Sequence, residues 1–274
     1  MKASRVIISG PLDDLRSPLI RLLQEAARLG PLYVLPWPDE AIREIEGREP
    51  RFPLAERLYF LQALRYTTTV EPAHPFPGPQ MLPAAHAIAD SIWVVDQAGD
   101  LPQKREFCRA NGLMYRVIPD QAISGFPIDP LPAPERGQRQ QVMITGSFDW
   151  LHTGHVRFFE EVSAYGDLIA VVGHDANIEL LKGPGHPLYK QEERRYMVYS
   201  IRYVCQAMLS SGRGWLDAEP ELARLKPDIY AVNEEGDKPE KRAYCQSHGI
   251  QYLVLKREPR AGLTRRSSTD LRGF

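Results

Sequence analysis

An internal repeat constrains the fold of this chain more than any other feature of its sequence. The segment VIISGPLDDLRSPLIRLLQEAARLGPLYVLP aligns with VMITGSFDWLHTGHVRFFEEVSAYGDLIAVV, which pairs Gly10 with Gly146. Further on, VVDQAGDLPQKREFCRANGLMYRVI aligns with AVNEEGDKPEKRAYCQSHGIQYLVL, which pairs Gly99 with Gly236. The two offsets are 136 and 137 residues, so the register holds across each half. A repeat of this length predicts two domains of one fold.

The boundary between the two copies is marked by composition. The segment SGFPIDPLPAPERGQRQQ is rich in proline and polar residues and has no apolar periodicity, which is typical of a linker. We therefore predict a first domain at residues 1–123, a linker at 124–139 and a second domain at 140–274. A chain of 274 residues is long enough for two domains, each with its own apolar core.

Each half alternates short apolar runs with segments of helical spacing. In the second half, QVMITGS, LIAVVG, CQAMLSS, IYAVN and IQYLVL predict strands, and GHVRFFEEVSAY, QEERRYMVYSIRY and KPEKRAYCQSH predict helices. Continuous apolar strands are buried on both faces, so helices must cover both sides of the sheet. The pattern predicts an α/β protein of two Rossmann-like, doubly wound parallel-sheet domains arranged as a tandem pseudo-dimer. In such sheets ligands bind at the carboxyl ends of the strands, where the strand order reverses.

Composition excludes several classes of partner and setting. The chain has 34 Lys and Arg residues against 35 Asp and Glu residues, so it has no general basic field for nucleic acid. There is no run of about twenty apolar residues and no apolar targeting core near the start, so we expect a cytoplasmic protein without a membrane span. The three cysteines lack CxxC spacing, which argues for reduced thiols rather than for disulfides or a structural zinc site.

The junction between the first strand and the first helix of the second half carries residues suited to phosphate binding. The predicted strand ends in Thr145, Gly146, Ser147, Phe148 and Asp149, and the predicted helix opens with His152, Thr153, Gly154 and His155. A helix start offers unpaired N–H groups and the positive end of the helix dipole, which together bind anions. Histidines three residues apart project to the same side, so both rings are expected to face that anion.

The two glycines of this junction are expected to admit the nucleotide. Gly154 leaves room for a phosphate at the backbone, and Gly146 lets a nucleotide pack against the strand end. A bare HxxH pair is more often two solvated histidines or two metal ligands. Here the pair stands inside GSFDWLHTGH directly after a strand, and this longer string favours the nucleotide interpretation.

The string GSFDWLHTGH resembles the HxGH signature of the nucleotidyltransferase superfamily, especially the glycerol-3-phosphate, phosphoethanolamine and phosphocholine cytidylyltransferases and their adenylyltransferase relatives. The resemblance covers the second half of the chain. It implies that His152, His155 and Lys182 act on the phosphates, and that Mg²⁺ accompanies the triphosphate. It further implies a nucleotide-binding set made up of Thr145, Gly146, Ser147, Phe148, Asp149, Gly154, Arg194, Ser267, Ser268 and Thr269.

The same resemblance bears on the two substrates. The IRYV string is similar to the cytidylyltransferase branch, so CTP is the first choice of donor, whereas LLKGPGHPL followed by QEER resembles the heptose adenylyltransferases and keeps ATP open. The expected reaction joins the nucleotidyl group to a small phosphorylated acceptor and releases pyrophosphate. Asn233, Glu235 and Lys238 lie on the acceptor side of the expected crevice. The functional C-terminal arginine stays open between Arg257, Arg260, Arg265 and Arg266.

The first half lacks this chemistry. Arg16, Pro18 and Leu19 stand at the offsets of His152, Gly154 and His155, although Arg57 aligns with Arg194. We therefore predict a degenerate copy that packs on the active one, and pairing into a homodimer stays open.

Two other functions compete with catalysis of nucleotidyl transfer. One is a non-catalytic nucleotide-binding regulatory module. The other is a metal-dependent hydrolase that uses His152, His155 and His174, but no carboxylate with ligand spacing accompanies these histidines. We therefore predict no metal site built from protein ligands alone.

Overall fold

The computed structural model describes residues 5–129, 139–268 and 271. Thr269, one of the predicted nucleotide-binding residues, lies outside this range, as do residues 130–138 of the predicted linker. The chain divides into two compact units, Met1–Gly125 (unit 1) and Phe126–Phe274 (unit 2).

Unit 1 is a five-stranded parallel sheet with helices in its connections. Its strands, β1 to β5, are Val6–Gly10, Leu32–Pro36, Thr69–Val70, Ile92–Asp96 and Met114–Ile118. Its helices, α1 to α4, are Ser17–Ala27, Asp39–Glu46, Leu54–Gln62 and Pro102–Ala110. The strand order across the sheet is β3-β2-β1-β4-β5, and every neighbouring pair is parallel.

Unit 2 repeats this topology. Its strands, β6 to β10, are Gln141–Gly146, Asp167–Val172, Val204–Leu209, Ile229–Asn233 and Gln251–Leu255. Its helices, α5 to α9, are Thr153–Ser163, Asp175–Lys182, Gln191–Tyr199, Glu219–Leu225 and Pro239–His248. The order is β10-β9-β6-β7-β8, which is the order of unit 1 counted from the opposite edge. The predicted fold class, two Rossmann-like α/β domains, is confirmed.

The apolar periodicity of the sequence builds the core of unit 2. Val156, Phe159 and Val162 recur at three-residue steps on α5 and have no exposed surface. They pack in the same interior as β7, whose five residues after Asp167 are all buried. Continuous apolar strands of this kind become stable only when helices shield both faces of the sheet.

In each unit a crevice opens where the central strand separates from one neighbour. β6 keeps its pairing with β7 to the end of the strand, at Gly146 and Val172, but its pairing with β9 stops at Ile144 and Ala231. In unit 1, β1 pairs with β4 only through two residues, Val6 and Ile7. The carboxyl ends of these central strands are the switch points at which ligands of such sheets bind.

Two features that the sequence argued against are also missing from the residues that the structure describes. All three cysteines are free thiols, and burial raises the pKa of Cys108 and of Cys245 to about 11. Within the described ranges, no helix has both the length and the apolar character needed to cross a bilayer.

A fully buried arginine ties together the loops at the carboxyl ends of the strands in unit 1. The guanidinium of Arg57 donates to the carbonyl oxygens of Phe52, Pro11 and Trp37 at 2.9, 2.7 and 2.7 Å, and it pairs with the carboxylate of Asp39. Buried carbonyls need donors, and one planar guanidinium supplies several in a fixed geometry.

Arg194 makes the matching set of contacts in unit 2. It donates to the carbonyl oxygens of Tyr189, Ser147 and Gly173 at 2.9, 2.7 and 2.7 Å and to the carboxylate of Asp175 at 2.8 Å. These partners stand 136 or 137 residues after those of Arg57. The repeat therefore preserves a specific hydrogen-bond network as well as an apolar pattern.

We predict that Arg57→Met lowers the free energy of unfolding of unit 1 by about 3 kcal/mol, because three carbonyls and one carboxylate lose their partner inside the protein. Arg43→Met, at an arginine whose side chain is 45% exposed, is the matched control and is expected to cost less than about 0.5 kcal/mol. Urea unfolding followed by tryptophan fluorescence measures both. Equal stability of the two variants would contradict a structural role for Arg57.

Candidate functional site

The switch point of unit 2 holds a cleft of about 250 Å³. It lies at the carboxyl ends of β6 and β9 and is bounded by α5, α6 and the loop before α8. Its lining includes both polar and apolar side chains: Thr145, Ser147, Phe148, His155, Phe158, Asn177, Ile178, Leu181, Lys182, Trp215, Asp217, Val232, Asn233, Glu235 and Lys241. Four of the predicted nucleotide-binding residues, Thr145 to Phe148, therefore meet His155 and Lys182 in one place, whereas His152 is buried and is not among the lining residues.

The two histidines form a reciprocal cap at the start of α5. His152 is the N-cap residue, and its Nδ1 accepts a hydrogen bond from the backbone N–H of Gly154 at 3.1 Å. The Nδ1 of His155 in turn accepts from the backbone N–H of His152 at 3.4 Å. The ring centroids are 4.0 Å apart. This arrangement satisfies two of the N–H groups that a helix start leaves unpaired, and it holds both rings in place.

These hydrogen bonds determine which ring nitrogen carries the proton. Since each Nδ1 accepts, the neutral form of each ring has its proton on Nε2. Burial, followed by electrostatic repulsion from His152, Arg257 and Lys182, holds the pKa of His155 well below its ordinary value of 6.5. His155 is therefore neutral at pH 7, with Nε2–H as its hydrogen-bond donor.

Both glycines lie against side chains of the protein itself. A Cβ atom on Gly154 would lie 2.9 Å from Cε1 of His152, so this glycine makes room for the capping imidazole, and the approach of a phosphate there stays a prediction. A Cβ atom on Gly146 would lie 2.8 Å from the ring of Phe148, which folds back over the strand end with a positive φ of 48°. The space at both glycines is thus taken by the protein's own side chains.

Lys182 lies at the mouth of the cleft. It is the last residue of α6, and the loop that contains Gly183 and Pro184 begins after it. Its Nζ donates to the Oγ of Ser147 at 2.8 Å. Lysine and serine are therefore both adjacent to the strand end from which α5 departs.

Two other predicted nucleotide-binding residues lie behind the cleft wall. Arg194 is 1% exposed and is engaged by backbone carbonyls. The carboxylate of Asp149 is also buried and accepts from the backbone N–H groups of Leu188 and Tyr189 at 2.7 and 2.9 Å. Both geometries favour positioning of the loops around the cleft, and direct nucleotide binding by these two residues stays a prediction.

The C-terminal segment crosses the start of α5. Arg257 donates to the carbonyl oxygen of Arg266 at 2.7 Å and pairs with the carboxylate of Glu235. Of the four candidate arginines, Arg257 is the one whose charge acts on His155, whereas Arg260 lies 3.4 Å from Glu160. The identity of the functional arginine stays a prediction.

Ser267 and Ser268 do not open a helix in the described part of this segment. The Oγ of Ser268 donates to the carbonyl oxygen of Trp150 at 3.2 Å, which brings the segment against the loop before α5. Their predicted contact with the nucleotide is not tested by this arrangement.

The residues expected on the acceptor side surround the end of β9. The Oδ1 of Asn233 accepts from the backbone N–H of Gly236 at 3.0 Å, and both Asn233 and Glu235 line the cleft. The Nζ of Lys238 lies 4.4 Å from the ring centroid of Trp215, which also lines the cleft. A cation over an aromatic face at this distance is a favourable contact.

A polar group that the motif analysis missed lies deeper in the cleft. Lys241 is nearly buried, and its Nζ donates to the Oγ1 of Thr145 at 3.4 Å, which in turn lies 2.7 Å from the hydroxyl of Tyr230. Burial lowers the pKa of Lys241 and raises that of Asp217 beside it. The repeat aligns Lys241 with Lys104, so the pattern alone could not distinguish a site residue from a structural one.

The geometry gives no support to the metal-dependent hydrolase. Both ring nitrogens of His174 are engaged, since Nδ1 accepts from the backbone N–H of Asn177 at 3.3 Å and Nε2 lies 2.9 Å from the carbonyl oxygen of Gly212. Within the described residues, no cluster of three or more His, Cys, Asp or Glu side chains is placed to hold a metal ion.

Comparison with known proteins extends these observations. A family model described as cytidylyltransferase-like matches residues 143–269, all of which belong to unit 2. FAD synthase from Aciduliprofundum boonei is 33% identical over 136 residues, which is 48% of this chain and 84% of that protein. FAD synthase from Thermococcus kodakarensis is 31% identical over 130 residues, which is 44% of this chain and 82% of that protein.

A third relative shares a smaller part of its length. The bifunctional protein HldE from Pseudomonas syringae pv. syringae is 34% identical over 144 residues, which is 49% of this chain and 27% of that protein. The resemblance inferred from the motif is thus confirmed by whole-domain similarity to several proteins. The chain belongs to the cytidylyltransferase-like family of nucleotidyltransferases.

Proposed function

We propose that unit 2 transfers AMP from ATP to a small phosphorylated acceptor and releases pyrophosphate. The observation that carries this proposal is the pair of capped imidazoles at the start of α5, 4.0 Å apart, beside a cleft of about 250 Å³. Together with Lys182 at the mouth of the cleft, these rings provide hydrogen-bond donors for a triphosphate beside a helix N-terminus.

The reaction requires alignment of the two substrates and stabilisation of phosphate charge rather than a covalent intermediate. An oxygen of the acceptor phosphate attacks the α-phosphorus, the bond from that phosphorus to the bridging oxygen breaks, and pyrophosphate leaves with the electron pair. Negative charge then grows on the phosphate oxygens. The Nε2–H groups of His152 and His155 and the ammonium of Lys182 are the proposed partners for that charge. Because the rings are already held by the helix start, they need no reorganisation during the step.

The choice of ATP revises the first expectation, which was CTP. FAD contains AMP joined through a pyrophosphate bridge to a flavin phosphate, so a protein named FAD synthase adds an adenylyl group. Two relatives of that name, each about one third identical to this chain, support ATP as the donor. The acceptor is proposed only as a class, a small molecule that presents a phosphate.

The expected magnesium ion fits best as part of the nucleotide substrate. The described residues supply no cluster of metal ligands, and the carboxylate of Asp217 in the cleft accepts a hydrogen bond from the Oγ of Ser210 at 2.7 Å. When it is bound to the triphosphate, the ion neutralises phosphate charge. Six residues in and beside the cleft are proposed to orient the two substrates: Thr145, Ser147, Arg257, Asn233, Glu235 and Lys238.

We predict that His152→Asn and His155→Asn each lower kcat by about 10² to 10³, because each removes one donor to the charge that forms in the transition state. Asparagine at position 152 is itself a good N-cap residue, so α5 keeps its start. His248→Asn, at an exposed histidine on α9, is the matched control and is expected to leave kcat unchanged. Pyrophosphate release from ATP with magnesium measures all three, and wild-type turnover in both site variants would refute the catalytic roles.

The lowered pKa of His155 predicts how the stability of the protein depends on pH. In the unfolded chain this histidine takes up a proton as the pH falls through about 6.5, whereas in the folded protein it stays neutral to a lower pH. The unfolded state then binds more protons, so stability falls with decreasing pH by up to about 1.4 kcal/mol per pH unit from this group.

His155→Asn is expected to reduce the slope of stability against pH below pH 6.5, and His248→Asn is expected to preserve it. Urea unfolding at a series of pH values compares the three proteins. An unchanged slope in His155→Asn would mean that this ring is protonated in the folded protein as readily as in the unfolded chain.

The donor is decided by a thermal-shift comparison of ATP, CTP, GTP and UTP, each with magnesium. Binding to the folded state alone raises the melting temperature, and a hundredfold excess over Kd stabilises by about 2.7 kcal/mol. We expect the largest shift with ATP and a smaller one in Lys182→Met. Stabilisation by CTP without stabilisation by ATP would restore the first expectation and reject ATP, and binding without pyrophosphate release would favour a regulatory module.

A further inference from the structure

Unit 1 contains a cavity at the position that the candidate site occupies in unit 2. It lies at the carboxyl ends of β1 and β4 and measures about 360 Å³, compared with about 250 Å³ in unit 2. It is therefore larger than the cleft in which we place a nucleotide. Loss of the histidines has therefore not been accompanied by closure of the crevice.

The features suited to phosphate are missing from this cavity. Pro18 and Leu19 line it at the positions of Gly154 and His155. Arg16, which replaces His152, is paired with the carboxylate of Asp14. The start of α1 has no side-chain cap and carries a proline in its first turn. A triphosphate would find no imidazole donors here.

The charged groups around the cavity also disfavour a phosphorylated ligand. Three carboxylates line it, those of Asp13, Asp14 and Asp96, against the single ammonium of Lys104. Asp13 is paired with Arg48, and Asp14 is paired with both Arg16 and Arg51, so these guanidinium groups are engaged by carboxylates. A phosphorylated ligand would have to compete with those carboxylates for the arginines.

The other residues that line the cavity suit an uncharged heterocyclic ring. Leu22, Trp37 and Val94 supply buried apolar walls. Lys104, 7% exposed, reaches the cavity from α4 and donates to the carbonyl oxygen of Gly99 at 3.0 Å, which uses one of its three donors. The carboxylate of Asp96 also lines the cavity; its Oδ1 accepts from the backbone N–H of Gly99 at 2.7 Å, and Oδ2 is the acceptor assigned to a ligand. Apolar faces with a few fixed donors and acceptors are the usual composition of a site for a heterocycle.

We propose that unit 1 binds a nucleoside without phosphate at this cavity. The heterocyclic ring lies between the apolar walls, and Lys104 and Asp96 bind its polar edge. The comparison with unit 2 depends on the nucleotide site proposed for that unit. The cavity of unit 1 and the charged groups that line it are observed independently of that proposal. Pro18 and Leu19 replace residues of the phosphate-binding end, whereas Asp96 and Lys104 stand at the positions of Asn233 and Lys241 and keep polar groups in the cavity.

Calorimetric titration of the full chain tests this proposal. The titrants are adenosine, cytidine, guanosine and uridine, with ATP and magnesium as a separate titration. Leu19→Trp fills the cavity at a half-buried lining position, and Met114→Trp, at a residue 49% exposed on β5, is the matched control in the same unit. We expect at least one nucleoside to bind wild type and Met114→Trp, and its affinity to fall at least tenfold in Leu19→Trp.

The ATP titration keeps this proposal separate from the proposed function. Binding of ATP with magnesium is expected to be equal in the three proteins, because the triphosphate is assigned to unit 2. The proposal is overturned if no nucleoside loses affinity in Leu19→Trp, or if ATP loses affinity there by the same factor as the nucleosides. Failure of ATP to bind any of the three proteins would instead count against the function of unit 2.

A second measurement uses only the wild-type chain, so it does not depend on the folding of Leu19→Trp. The protein is irradiated with the azido derivative of whichever nucleoside binds, and labelled peptides are identified by mass spectrometry. Label is expected on peptides that contain residues 8–22 or 93–99. Label confined to peptides of unit 2 would reject a nucleoside site in unit 1.

Discussion

A buried guanidinium at the carboxyl ends of the strands is the interaction on which the rest of this structure depends. In unit 2, Arg194 joins the end of β6, the end of β7 and the loop before α7 through the carbonyls of Ser147, Gly173 and Tyr189. Of these segments, the end of β6 lines the cleft directly, at Ser147. An arginine in this position satisfies several buried carbonyls at once, which no apolar residue of the same volume would do.

Arg57 makes the same network in unit 1, so the two units share these buried hydrogen bonds and differ in the side chains at the start of the first helix. In unit 2, two imidazoles cap α5, and one of them, that of His155, lines a cleft together with Lys182. In unit 1, Arg16 and Leu19 occupy the positions of the two histidines, and the cavity is lined by three carboxylates. Structural hydrogen bonds were retained in both copies, while the groups suited to phosphate are present in one. This division separates residues that maintain the fold in both units from those to which we assign phosphate binding in unit 2.

Much of the site was accessible from sequence because its residues belong to one short string. GSFDWLHTGH stands after a strand and before a helix, so the position of His152 and His155 follows from local structure alone. The roles of the glycines did not follow, because whether Gly154 faces a ligand or a neighbouring ring depends on the rotamer of His152. Lys241 and Asp217 were missed since they come from segments far from the motif and only the folded sheet brings them to Thr145.

The sequence by itself determined the repeat, the alternation of strands and helices, and the family of the second half. These properties are local or periodic, since apolar spacing and a contiguous motif specify them without knowledge of distant contacts. The tertiary structure decided which polar residues line the cleft and which donate hydrogen bonds to buried carbonyls. It also decided that unit 1 contains a cavity. Those outcomes depend on where strands diverge and on which donors meet which acceptors, and neither is contained in the spacing of residues along one chain.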